Sequence, residues 1–324
     1  MLSRERFRKT MQYGAADHVP YFEEGLRDEV LEAWQRQGLS KDADISRMFP
    51  VDRREEIQPD LDPHPKLKRW PDGLADLTEL EKRLDPHDPV RLPPDWKEKH
   101  RELNDADTVC MLRVHRGFFI SMGVNEWDRL THVMYALKKD PDYVKQAMSI
   151  WGRFNAAVAD RVLTDVTCDA AIFSEPLGGN DGPLISPQMY EEFVLTSYEP
   201  VLEVLHRHSV ETIIFRTYAN ARLMIPSILK WGFNCLWACE VNIETMDYRD
   251  LRRDFGRSLG LIGGIDLDAL RRGKDSIREE LEEKVPPLIA DGGYVPLADG
   301  RVREDVPFSH YVYYRQLLSA ITRQ

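Results

Sequence analysis

The chain of 324 residues carries 44 Lys and Arg against 55 Asp and Glu, a formal net charge of -11, and 42% of it is hydrophobic. That apolar share suffices for one large core or two modest ones. An acidic balance without a Lys/Arg block argues against nucleic acid as a partner.

No apolar stretch reaches the roughly 20 residues that cross a bilayer, and the opening MLSRERFRKTMQYG lacks the apolar run of a secretory leader. The expected setting is the cytoplasm, away from membranes. Cys110, Cys168, Cys235 and Cys239 each sit in apolar context and read as reduced core thiols rather than a disulfide framework.

In chain order, a basic amphipathic helix is expected over residues 4–13, capped by Ser3. HVPYFEE, residues 18–24, reads as a strand that Pro20 can only begin, and residues 25–37 as a helix. A further strand is expected near 47–52. Residues 57–107 are polar and dense in proline, a surface excursion with one short helix near 74–84. Thereafter apolar β-rich runs alternate with helical segments. TVCMLRVH (108–115) precedes helices over 125–137 and 141–165, and DAAIFSEP (169–176) precedes one over 187–208. TIIFRTYA (212–219) precedes 222–231, NCLWACEV (234–241) precedes 248–255, LGLIGGID (259–266) precedes 276–291, and GGYVPLAD (292–299) precedes 309–322.

Strands this apolar are buried on both faces, and strand–helix alternation implies a parallel sheet. Eight such units over one domain, residues 1–324, favour a distorted (β/α)8 barrel with an N-terminal excursion; neither G-x-G-x-x-G nor G-x-x-x-x-G-K-[ST] follows a strand.

In a barrel, ligands meet the C-terminal ends of the strands, which here carry Glu23 and Glu24, Asp52, Arg113 and His115, Glu175, Arg216 and Tyr218, Glu240, Asp266 and Asp299. A metal site is not expected. Cys235 and Cys239 share one side of a strand but stand about 13 Å apart at roughly 3.3 Å per residue, and His206 and His208 close a helix. No G-x-S-x-G marks a serine nucleophile, and Ser186 with Pro187 reads as a helix cap.

Several stretches together resemble the uroporphyrinogen decarboxylase superfamily, which also contains the corrinoid and coenzyme M methyltransferases. SRERFRKTMQYGAADHVPYFE is similar to its opening helix and strand. LKKDPDYV, the segment 175–202, LIGGIDLDALRRGKDSIREEL and GGYVPLADGRVREDVP follow in order. The resemblance implies a TIM barrel with a deep cleft. Two departures bear on function. Where the methyltransferase branch carries His-x-Cys-Gly, this chain has Phe215, Arg216, Thr217 and Tyr218, so both zinc ligands are replaced. Where the decarboxylase branch carries an arginine-rich motif, this chain has YFEEGLRDEV, and Asp299 stands where that branch has a C-terminal histidine.

The resemblance places Asp52 in the role of the acid that steadies a protonated substrate. Tyr218 or Glu175 would then handle the proton, and Arg113 or Arg216 would anchor a carboxylate. The expected activity is metal-independent decarboxylation of a carboxylated, tetrapyrrole-like or smaller substrate other than uroporphyrinogen itself, without a cofactor. Two alternatives stay open: a methyl-transfer component working with a corrinoid protein, and a non-catalytic binding protein whose pocket is lined by His115, Glu240, Asp266 and Asp299. A homodimer is implied by the resemblance alone.

Overall fold

The computed structural model describes residues 1–239 and 245–323. The fold is α/β, with parallel strands followed by helices. Two compact units interleave along the chain. Unit one comprises Met1–Arg54, Asp107–Val109 and Cys235–Gln324, and unit two comprises Glu55–Ala106 and Cys110–Asn234. Among the described residues no helix is long and apolar enough to cross a membrane.

The strands are β1 (Arg54–Ile57), β2 (Val109–His115), β3 (Ala170–Glu175), β4 (Thr212–Thr217), β5 (Cys235–Ala238), β6 (Gly260–Ile265) and β7 (Tyr294–Ala298). In unit two, β2, β3 and β4 are parallel neighbours, with Leu112 opposite Ala171 and Ile172 opposite Ile214. Helix Pro141–Asp165 packs on helix Thr196–Arg207, and at their crossing a Cβ on Gly152 would lie 2.0 Å from the Ser197 carbonyl, so only glycine permits the approach. In unit one, β5, β6 and β7 are likewise parallel, with Trp237 opposite Ile262 and Ile262 opposite Val295. These strands are buried along nearly their whole length, as a sheet covered by helices requires.

Two expected strands are not formed. Residues 18–24 form no strand, because Pro20 has no N–H and the Tyr21 backbone is taken by one residue: Asp52 N donates to Tyr21 O at 3.0 Å and Tyr21 N donates to Asp52 Oδ2 at 2.8 Å. Near 47–52 the chain forms the helical turn Ile45–Met48 instead, and β1 starts only at Arg54, beyond Pro50. Ser3 is not a cap but the first helical residue of Ser3–Met11; the free N–H groups of Ser3 and Arg4 donate to the Asp107 carboxylate at 2.8 and 3.2 Å, a partner about a hundred residues distant in sequence. Ser186 does cap Pro187–Tyr190, its Oγ accepting from Met189 N at 3.2 Å.

The proline-rich excursion is better organised than its composition suggests. Beyond helix Leu77–Arg83 it holds a second helix, Trp96–Asp105. Its centre is Arg91, 1% exposed, whose guanidinium donates to the carbonyls of Asp85 (3.0 Å), Asp60 (3.2 Å), Arg83 (2.9 Å) and Asp62 and lies 4.7 Å from the Phe154 ring centroid. Four carbonyls that a loop would otherwise show to water are satisfied by one side chain.

Candidate functional site

The C-terminal ends of β2, β3 and β4 in unit two carry five of the sequence-derived candidates, or flank them: Arg113, His115, Glu175, Arg216 and Tyr218. Paired residues on neighbouring strands project to the same face, and side chains alternate along each strand. Arg113 pairs with Ile172, Ile172 with Ile214, and Ser174 with Arg216, so Arg113 and Arg216 share a face. His115 pairs with Phe173, and Glu175 with Thr217, on the opposite face. Without interruption Arg113 and His115 would point alike. A register shift between them separates the two.

On the Arg113 face, the Arg216 guanidinium is held by Glu56 of β1 through two parallel bonds of 2.8 and 3.0 Å. This fork is geometrically specific and nearly dry, with side-chain exposures of 9% and 12%. Arg116 is ion-paired to Asp62. Arg113 is half-buried and makes no hydrogen bond or ion pair among the described residues, and its Nε is buried without a partner. Burial pulls its pKa down, opposed by Glu56 and reinforced by Arg216 and Arg116. Tyr218, just past β4 and 42% exposed, lies within electrostatic reach of Arg113.

The other face is closed. His115 and Glu175 are both fully buried, under Tyr198 of helix Thr196–Arg207. The Gly117 N–H donates to His115 Nδ1 at 2.9 Å, so that nitrogen is unprotonated and the ring proton sits on Nε2, which has no partner. Burial, reinforced by Arg116, depresses His115 to about 3. The Phe118 N–H donates to Glu175 Oε2 at 3.2 Å, and the Tyr198 hydroxyl touches both Glu175 Oε1 and, at 3.2 Å, His115 Nδ1. Burial raises Glu175 to about 8, against the Phe118 N–H and Tyr190. A neutral Glu175 completes a one-way chain, donating to the Tyr198 oxygen while Tyr198 donates to His115. An ionised Glu175 instead takes the Tyr198 proton for itself. Tyr190, also fully buried, is pushed well up by burial and then by Glu175.

The remaining candidates belong to unit one. Asp52, 4% exposed, has one oxygen on Arg6, which also holds Asp17, and the other on the Tyr21 N–H. Glu23 pairs with Arg315 beside a cavity of about 370 Å3 lined by Leu26, Leu31, Ile45 and Val51; burial raises its carboxyl, against Arg315 and Tyr311. Asp266 caps the helix Leu267–Arg272, accepting from Asp268 N at 2.8 Å, and pairs with Arg272. Asp299 ends β7, its N–H donating to Ile265 O at 2.7 Å. Glu240 lies outside the described residues.

Sequence reasoning overlooked Glu56 and Tyr198. The alternation in RREEI places Arg54 and Glu56 on one face of β1, the one signal that pointed to Glu56. Tyr198 reads as ordinary helix core. At the two positions where the methyltransferase branch has zinc ligands, Phe215 is packed against Tyr190 and Phe233, and Thr217 Oγ1 donates to the Glu175 carbonyl at 2.9 Å. A phenyl ring and an occupied hydroxyl do not fit a zinc centre there.

Comparison with curated proteins returns no match. The family model described as uroporphyrinogen decarboxylase (URO-D) matches residues 123–295, more than half of the chain, from the turn before helix Trp127–Lys139 into β7. The match spans β3, β4, β5 and β6, and thus Glu175, Arg216 and Tyr218. The chain belongs to the uroporphyrinogen decarboxylase family.

Proposed function

We propose that the protein is an enzyme that removes CO2 from a small carboxylated substrate, seated by one carboxylate on Arg113. The observation that carries this reading is the Arg113 guanidinium itself. It is half-buried, without a hydrogen bond, and shares a sheet face with an arginine that Glu56 already occupies. A partly desolvated cation with its donors unmet favours an anion of planar, two-oxygen geometry.

One uncommitted arginine also bounds the substrate. Of the three arginines at these strand ends, Arg216 and Arg116 are matched by Glu56 and Asp62, which leaves Arg113 as the one anchor and suits one or two carboxylates rather than many. In the reaction the C–C bond to the departing carboxylate breaks, its electron pair stays on the substrate, and a proton replaces CO2. Tyr218, exposed beside Arg113, is the donor in this reading. Glu175, His115 and Tyr198 lie behind the sheet and hold the strand ends in place. The same reading takes residues 1–324 as one (β/α)8 domain, supported by the family match and the parallel strands of each unit.

The test is release of labelled CO2 from a panel of aromatic and heteroaromatic mono- and dicarboxylates, with Arg113→Met as the comparison. Loss of one charged hydrogen-bonding anchor is expected to lower kcat/KM by about 10- to 100-fold, mainly through KM. Methyl loss to an added cobalt(I) corrinoid with no CO2 would replace decarboxylation by corrinoid-linked methyl transfer. Tight binding with neither product would mark a ligand-binding protein.

A further inference from the structure

Cys110 lies on β2 and Cys168 two residues before β3, at the end of the strands opposite to Arg113 and Glu175. Both thiols are buried, at 0% and 4% exposure, and their Sγ atoms are 3.4 Å apart. Their backbones are held in place from both sides. Met111 pairs with Ala170, which sets Asp169 opposite Cys110. Asp169 N donates to Cys110 O at 2.7 Å, and Cys110 N donates to Asp169 Oδ2 at 2.8 Å. Cys168 is therefore a diagonal neighbour. With about 4.8 Å between strands and about 3.3 Å of rise, the two Cα atoms stand about 6 Å apart, inside the range that a disulfide spans. The sulfurs need to close by about 1.4 Å to bond, which side-chain rotation supplies.

We propose that Cys110 and Cys168 form a reversible dithiol–disulfide couple whose oxidant is hydrogen peroxide or another small hydroperoxide. Burial selects the oxidant by size: the 4% of Cys168 left exposed admits a small peroxide and excludes a bulky disulfide. Cys168 is assigned the attack, since it keeps 4% of its surface exposed whereas Cys110 keeps none. Its sulfur attacks a peroxide oxygen and the O–O bond breaks, giving a sulfenic acid and water. The Cys110 sulfur then attacks the sulfenic sulfur, the S–O bond breaks, and a second water leaves. Two thiol hydrogens and two electrons pass to one peroxide. The bond ties β2, which carries Arg113 and His115, to the strand that carries Glu175.

The full-length protein is treated with hydrogen peroxide under native conditions, then denatured, alkylated and digested. Two of its four cysteines should resist alkylation, in a linked peptide pair joining Cys110 to Cys168 and lighter by about 2 Da than the separate thiols, and dithiothreitol should restore both. The oxidised protein should melt about 5 °C or more higher, because residues 110–168 become a closed loop. Met48, 45% exposed, reports through its sulfoxide that the dose was effective. Cys110→Ala should abolish the link and leave Cys168 oxidised alone. Four alkylated cysteines beside an oxidised Met48, or a link to Cys235 or Cys239, overturns the proposal, and this is decided on the native sequence whatever the variant does.

Discussion

Arg113 and His115 lie two residues apart on β2 and project from opposite faces of the sheet, because the pairing with β3 slips by one residue between them. A single slip thereby separates a half-buried guanidinium, unpaired among the described residues, from a fully buried neutral imidazole. A strand in perfect register would have put both on one face. One result would be a positive charge crowded against an apolar wall; the other, a histidine left in the cleft.

The buried trio gives the stability curve a defined shape. Glu175, raised to about 8, binds a proton in the folded state that the unfolded chain has already lost, so its contribution is full below about 4.5 and falls as pH rises to 8. His115, depressed to about 3, acts in the opposite sense, its contribution being full above about 6.5 and lost as pH falls to 3. Between 4.5 and 6.5 the two slopes cancel. From pH 6.5 to 8 Glu175 alone of the trio titrates, and its contribution should fall by about 1.4 kcal/mol per pH unit. Urea unfolding across pH 5–8 should show this fall in the native protein and its absence in Glu175→Gln. Parallel curves would mean that Glu175 is ionised throughout.

The Arg216–Glu56 fork should behave as a buried pair. Either Glu56→Gln or Arg216→Met alone leaves a charge or donor stranded and should cost about 3 kcal/mol, whereas the double variant should cost clearly less than the sum. Chemical denaturation of the four proteins measures the coupling. Strict additivity would place the two side chains in water.

Gly117 has φ +103°, and a Cβ there would meet Pro176 Cδ at 2.6 Å and the Ser174 carbonyl at 2.8 Å. Gly117→Ala should cost about 2–4 kcal/mol, through backbone strain together with displacement of the strand end that holds Glu175. Thermal unfolding within about 0.5 kcal/mol of the native protein would contradict the close approach.

Arg91 should act as the centre of the excursion. Replacing it by methionine keeps the apolar stem over Phe154 but strands the carbonyls of Asp60, Asp62, Arg83 and Asp85, a loss of about 3 kcal/mol or more. Hydrogen exchange should accelerate across residues 60–92 while amides of β3 and β4 stay protected. Uniform acceleration throughout unit two would show that the excursion is not a separable element.

Much of the architecture was legible in the chain. The apolar runs that became β2, β3, β4, β5, β6 and β7 and the helices between them follow from local periodicity, and Ser186 before Pro187 announced its helix start. The two expected strands that did not form share one cause. Residues 18–24 and 47–52 have the composition of strands, yet Asp52 claims the Tyr21 backbone and Pro50 delays the next strand, a competition between distant partners that no local window contains. The excursion was illegible for the same reason, since Arg91 makes sense only once four carbonyls surround it.

The sequence by itself determined which segments are buried and which charged residues close them, because burial and period are written residue by residue. Only the tertiary structure decided what those residues face: a one-residue slip between β2 and β3 sent Arg113 one way and His115 the other, and the chain brought Glu56 to Arg216 from 160 positions away. Register and pairing are properties of two strands together, and each strand alone is consistent with several.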